Sequence, residues 1–388
     1  MLTPPFPPWP NFTQEEADAV SRVLLSNKVN YWTGVEAREF EKEFATFAET
    51  NHAIALANGT VALDLALVGL GIGSHNGGSK DDEVIVTPRS FVASVSCVVN
   101  AGARPVFADV NLDSQNITPE TVEPHITANT KAILCVHLFG WPCDMDGFRR
   151  LTEGKNIRLI EDCAQAHGAK YKGKSVGGLG DVAAWSFCQD KIMTTGGEGG
   201  MVTCNDEDLW KKMWAYKDHG KNWDSVYNTQ HPPGFRWVVD SFGTNWRMTE
   251  MQAAIGRIQL RHMEEWHDAR TKNANHLINQ FDEYTGETGI LRIPLLPSGS
   301  CEHAWYKFSA FVRPENLGSD MTRDTLVELC NKQGLPCMQG SCSEIYLEKA
   351  FDHTPFRPDD YMLNSRMLGE TSLVFLIHPG VEAIEINI

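Results

Sequence analysis

Glu161-Asp162-Cys163-Ala164-Gln165, and after a gap Trp185-Ser186-Phe187-Cys188-Gln189-Asp190-Lys191 with Gly196-Gly197-Glu198-Gly199-Gly200 beyond it, are the stretches on which the reading of this chain turns. In the first, a carboxylate closes the short apolar run Leu159-Ile160. In the second, a lysine follows another apolar run and opens a glycine-rich turn. Asp162 and Lys191 stand 29 positions apart. An aspartate at a strand end is common, and a lysine before glycines is often a solvated turn, so neither residue decides alone. Their order and context do, because both follow short apolar segments of the kind that form strands buried on both faces of a sheet.

Outward from these stretches the same rhythm repeats. Residues 53–57, 83–87, 105–108, 132–138 and 158–161 read as strands, and residues 60–70 and 91–101 as helices with apolar positions at helical spacing. Alternation of near-continuous apolar strands with helices predicts a mostly parallel sheet covered on both faces. Ahead of it, Thr13-Gln14-Glu15-Glu16 is a capping box opening a helix to about Leu25. Residues 71–82, polar and glycine-rich, read as a surface loop. After about Arg247 the pattern changes. Residues 248–280 read as one long helix, 307–313 as a strand and 323–333 as a helix. The expectation is an α/β chain with a large, mostly parallel mixed-sheet domain over residues 1–247 and a smaller C-terminal α+β domain over 248–388. A length of 388 residues fits two cores better than one.

Composition narrows the classes. Lys+Arg 34 against Asp+Glu 50 gives −16, which argues against nucleic acid or an anionic membrane as the partner while leaving room for a local cationic pocket. The proline-rich start, Met1-Leu2-Thr3-Pro4-Pro5, is not built like a signal peptide, and no run reaches transmembrane length. Ten cysteines lie scattered, several inside apolar segments, with no CxxC pair. That pattern reads as thiols in a reducing compartment, hence cytoplasmic, and as neither a disulfide framework nor a zinc site.

Ligands of parallel α/β sheets bind at the carboxyl ends of strands, and the chemistry-bearing residues fall there. Asn58-Gly59-Thr60, between a strand and a helix, combines close backbone approach, N–H donors and a hydroxyl, which suits a phosphate, and Ser186 adds a second hydroxyl. Phe91, read as the start of the next helix, is placed to stack on a ring or to fill core. Asp162 suits a protonated pyridine nitrogen, although a helix cap or ion pair uses the same residue. Gln165 is within reach of a phenolic oxygen, and His167 reads as structural. Lys191, following Trp185 and Phe187, is the kind of partly desolvated lysine that forms Schiff bases. Lysine and aspartate together are the two groups that pyridoxal 5′-phosphate chemistry requires.

Five ordered motifs carry a resemblance: Asn58-Gly59-Thr60-Val61-Ala62-Leu63, residues 161–168, residues 186–191, Gly196-Gly197-Glu198-Gly199-Gly200-Met201, and residues 243–256. Together the chain resembles the DegT/DnrJ/StrS family of sugar aminotransferases from about Asn30 to Gly256, and more loosely beyond. The resemblance implies a fold type I pyridoxal phosphate transferase, a homodimer with shared active sites, and transfer of an amino group, with glutamate as the usual donor, to a nucleotide-linked keto sugar, a 4-keto-6-deoxy sugar above all. It makes Lys191 the Schiff-base lysine, pairs Asp162 with the pyridine nitrogen and stacks Phe91 on the ring. Gln165 then meets the phenolic oxygen, Gly59, Thr60 and Ser186 hold the phosphate, and Asn245 reaches the phosphate of the neighbouring subunit's cofactor. It also implies an amino-sugar product destined for lipopolysaccharide O-antigen, another glycan or an antibiotic.

The chain departs from the family's pattern in places. Gln189-Asp190 precedes the lysine, where relatives carry a Pro-Thr or similar pair. Residues 340–346, Gly-Ser-Cys-Ser-Glu-Ile-Tyr, replace a His-Tyr pair near the expected sugar site. The chain stops at Glu385-Ile386-Asn387-Ile388, where relatives continue into a last helix, and the 71–82 loop is longer than theirs. Two other readings stand beside the transaminase. A nucleotide-sugar 3-dehydratase has Lys191 against it, since such relatives carry histidine there. A non-catalytic regulator that keeps the fold would leave the full catalytic set without a use.

Overall fold

The computed structural model describes residues 7–296, 299 and 301–381. The chain end at Glu385 to Ile388 and the first six residues of the proline-rich start lie outside the described residues.

Seven strands form the main sheet: β1 (His52–Leu56), β2 (Glu83–Val86), β3 (Arg104–Phe107), β4 (Thr130–Val136), β5 (Arg158–Asp162), β6 (Val182–Ser186) and β7 (Gly200–Cys204). Their spatial order is β1-β7-β6-β5-β4-β2-β3. Parallel pairing joins β6, β5, β4, β2 and β3 in turn. β7 runs antiparallel to both its neighbours, β1 and β6. The sheet is therefore mixed and mostly parallel, as expected. Its strands are mostly apolar and are buried from Ala132 to Val136 in β4 and along all of β6 and β7. β7 is the strand that the sequence reading passed over, because its residues follow directly on a glycine-rich turn.

Local chemistry explains the helix that opens the site. Asn58 caps the helix Gly59–Leu70, its side-chain oxygen accepting from the Val61 N–H, and Gly71 ends it at φ +69°. Apolar almost all round, this helix packs between β6, β7 and the helix Glu207–Lys217. The N-terminal helix Gln14–Leu25 carries the expected capping box of Thr13 and Glu16. Its Ala19 and Val23 pack on Ala254 and Ile258. Residues 248–280 form two helices, Glu250–Arg261 and Met263–Phe281, joined at His262, in place of the single helix expected.

A second hydrophobic core gathers around a four-stranded antiparallel sheet ordered Leu291–Arg292, Phe308–Val312, Ser372–Phe375, Cys337–Met338. Phe281, Phe308, Leu326, Leu373 and Phe375 fill that core. Among the described residues no helix is long and apolar enough to cross a membrane.

Candidate active site

A cavity of about 830 Å³ opens over the carboxyl ends of β1, β5 and β6, where a parallel sheet is expected to take its ligand. Gly59, Thr60, Phe91, Asp162, Gln165, Ser186 and Lys191 all line it. Asn245 does not: it is exposed, and its backbone bridges to Asp218.

β5 delivers the aspartate. Side chains alternate along a strand, so Glu161 and Asp162 leave it on opposite faces. Glu161 is wholly buried and accepts from the N–H groups of Gly177, Leu179 and Gly180 and from His137 Nε2 at 3.0 Å. Burial works against its charge, but His137 and these backbone donors hold its pKa below the ordinary carboxylate value. Glu161 thus locks the strand end that carries Asp162. His137, Glu161 and Cys163 bring ligand-type atoms within 4.8 Å of one another. His137 Nδ1 already accepts from the Cys143 N–H, and Nε2 meets Glu161, so the imidazole is engaged at both nitrogens.

Asp162, 5% exposed, accepts from Ser94 Oγ at 2.8 Å and from the Ala164 N–H at 3.1 Å. No cationic side chain among the described residues pairs with it. A buried carboxylate held by neutral donors, with its cavity side open, is a site for a cationic N–H. Gln165 accepts from the Phe139 N–H at 2.9 Å, which leaves its amide NH₂ as a donor at the wall. At the other side of the floor the helix Gly59–Leu70 begins against Ser186. A Cβ on Gly59 would lie 2.6 Å from the Ser186 Cβ, so only glycine lets the first turn's N–H groups sit this close to the strand end. Helix N-terminus and hydroxyls together make an oxyanion cradle.

Lys191 follows β6 and a turn. Trp9 of the N-terminal arm donates from Nε1 to the Lys191 carbonyl at 2.8 Å and packs edge-on to Trp266. The Lys191 ammonium lies 5.3 Å from the centre of the Tyr306 ring. Tyr306 Oη donates to Asp190 at 2.5 Å, so the unusual acid before the lysine is tied to the segment that leads into the strand Phe308–Val312. Burial opposes the Asp190 charge; Lys191, the Tyr306 hydroxyl and Lys307 outweigh it and hold the carboxyl below its ordinary range. His167 fills space between Trp185 and Phe187, and burial, with Lys191 and Arg270 nearby, depresses its pKa to about 3.

Phe91 needs a correction of placement. It precedes the helix Ala93–Asn100 by two residues instead of opening it, and sits 64% exposed on the rim. Ser94, Tyr306 and Lys307 were missed by the sequence reading. Ser94 looks like any small helix residue, and Tyr306-Lys307 has no local mark beyond its place at the start of the expected strand. The 340–346 segment, singled out as a departure, supplies Gly340, Ser341, Cys342 and Ile345 to the wall.

The donor set therefore fits pyridoxal 5′-phosphate: a carboxylate for a ring N–H, an anion cradle, a lysine and an amide in one cavity. The profile of the "DegT/DnrJ/EryC1/StrS aminotransferase family" matches residues 10–386. The chain belongs to that family. GDP-perosamine synthase of Escherichia coli O157:H7 is 39% identical over 285 residues, 71% of this chain and 72% of its own length. A dTDP-3-amino-3,4,6-trideoxy-alpha-D-glucose transaminase of Streptomyces venezuelae is 34% identical over 334 residues, 86% and 79% of the two chains. The solved aminotransferase of Psychrobacter cryohalolentis superposes with a TM-score of 0.94 at 57% identity, covering 97% of this chain and 95% of that one. As a DegT/DnrJ/EryC1/StrS aminotransferase, the chain has the fold of the pyridoxal phosphate transferases and depends on that cofactor.

Proposed function

We propose that this aminotransferase moves an amino group from an amino acid, glutamate foremost, to a nucleotide-linked keto sugar of the 4-keto-6-deoxy class. The observation that carries the reading is the meeting of Lys191 and the cation-less buried Asp162 in one cavity beside an anion cradle. The cofactor, when bound, supplies an aldehyde that takes up the amino group and a ring that withdraws electrons. The chain's own residues do the rest. Asp162 would hold a proton on the ring nitrogen, and Phe91 would cover the ring. Gln165 would donate to the phenolic oxygen, while Gly59, Thr60 and Ser186 would bind the phosphate. Lys191, as a free amine, would take the proton from the donor's α-carbon and return one to the sugar carbon that receives the nitrogen. Relatives named as transaminases weigh for transfer over dehydration.

We further propose a cytoplasmic homodimer that makes an amino sugar for lipopolysaccharide O-antigen. Phe235, Trp237, Val239 and Phe242 are large apolar side chains at 56% exposure or more, close in sequence to Asn245. A patch of this kind suits a second copy of the chain, which Asn245 would serve by reaching the partner's cofactor phosphate.

The test is a panel of GDP-, dTDP- and UDP-linked 3-keto and 4-keto sugars with glutamate. The wild-type protein is expected to aminate at least one, and Lys191→Ala none. Turnover by Lys191→Ala equal to wild type would sink the assignment.

A further inference from the structure

Among the described residues lining the cavity, the cations are Lys191 and Lys307. Under the transaminase reading, on which the role assigned to Lys307 rests, the Lys191 nitrogen is committed to the cofactor and to proton movement. Lys307 remains. It stands directly before the strand Phe308–Val312, its ammonium 4.8 Å from the centre of the Tyr306 ring. The same ring lies 5.3 Å from the Lys191 ammonium, so the two nitrogens are within about 10 Å of each other.

The electrostatic setting of Lys307 is unfinished. Its side chain is only 19% exposed, and its nearest carboxylate, Asp190, is 3.9 Å away. The Asp190 oxygen facing it, Oδ2, already accepts the Tyr306 hydroxyl. Burial lowers the Lys307 pKa, and Asp190 counters this while Lys191 adds to it. A desolvated cation with only a distant, shared counter-ion gains most from a second oxyanion at hydrogen-bond distance. The cavity it borders is where such anions arrive. The other ionisable side chains on the wall include Glu198 and Glu348, which repel them. Both substrates bring oxyanions, as the carboxylates of the amino donor and as the diphosphate of the nucleotide-linked sugar.

We propose that Lys307 is the oxyanion anchor of the substrate cavity, binding the carboxylate of the amino donor or the diphosphate of the sugar nucleotide. Asp190 and the Tyr306 hydroxyl hold the anchor in place without saturating it.

The experiment uses the holoenzyme with Lys307→Met, which keeps length and removes charge, and Lys307→Arg, which keeps charge. One arm follows the cofactor's absorbance as glutamate concentration is raised. The other titrates GDP, dTDP and UDP alone by calorimetry, which needs no chemistry. Loss of a charge-assisted hydrogen bond predicts roughly ten- to hundredfold weaker binding for Lys307→Met in at least one arm, with Lys307→Arg within a few-fold of wild type. A loss confined to glutamate assigns the anchor to the donor carboxylate, and one confined to the nucleoside diphosphates assigns it to the phosphates. A loss in both makes the anchor shared. Unchanged affinities in both arms overturn the proposal, as does a Lys307→Arg protein no better than Lys307→Met at equal melting temperature. Wild-type protein inert to glutamate would instead strike at the transaminase reading, and the calorimetric arm would still decide the role of Lys307.

Discussion

At the floor of the cavity, β1, β5 and β6 end within a residue or a few of Gly59, Asp162, Gln165, Ser186 and Lys191, so each functional group is placed by a buried strand. At the roof, Tyr306 and Lys307 lead into the strand Phe308–Val312 and residues 340–342 follow the strand Cys337–Met338; they meet the floor side through the Tyr306–Asp190 hydrogen bond, the Tyr306 N–H to the Phe139 carbonyl and the bridge of Cys342 with Ser90. The floor is held by many redundant bonds: Glu161 alone accepts from three backbone N–H groups and His137. These roof bonds, backbone and side-chain alike, join residues more than a hundred positions apart in sequence. A floor set on buried strand ends suits an invariant cofactor, and a roof assembled from segments distant in sequence suits a substrate that differs between relatives.

Asp162→Asn probes the floor most sharply. Asparagine keeps an oxygen for the Ala164 N–H but cannot hold a positive charge on the ring nitrogen, so turnover is expected to fall by roughly a hundredfold or more while thermal unfolding barely moves. Equal turnover in Asp162→Asn would remove the aspartate from the mechanism. At the roof, Lys307→Met is expected to leave cofactor binding intact and to weaken only substrate, so that the two regions separate in the measurement. A Lys307→Met protein that lost its cofactor would erase the distinction drawn between floor and roof.

Smaller effects come from two buried histidines, His167 under the floor and His303 behind the roof. Burial depresses each to about 3, and Lys191 and Arg270 add to the effect for His167 and the His267 ring for His303. Both lie below the ordinary histidine value, so between about pH 6.5 and 3 the unfolded chain binds more protons than the folded one. Stability is then full above about pH 6.5 and falls as the pH drops toward 3. At pH 5 the loss is about 2 kcal/mol for each histidine, read by denaturant unfolding at pH 7 and pH 5. His167→Leu is expected to show a shallower drop. The same drop in that variant would mean that His167 is not the group titrating.

The contrast between floor and roof also marks what the sequence made legible. Period and apolarity place strand ends, and ligands of parallel sheets bind there, so the positions of Gly59, Asp162 and Ser186 on the cavity wall are readable from local pattern. The wider fold follows from the same alternation. β7 escaped because a glycine-rich turn runs straight into it and hides its apolar residues. Phe91 was placed in a helix that begins two residues later, since helix starts carry weak signals without a capping side chain. Tyr306 and Asp190 are 116 positions apart, and Trp9 and Lys191 182. Contacts of that span come from the packing of whole elements, which no window of sequence contains.

Transamination itself is tested most directly by a spectral cycle on the wild-type protein. Pyridoxal 5′-phosphate added to apoprotein is expected to give a visible absorbance band, which glutamate bleaches with release of one equivalent of 2-oxoglutarate and which a nucleotide-linked keto sugar restores. A visible band that forms but stays unchanged with glutamate, and with every other amino acid offered, would contradict amino transfer at this site.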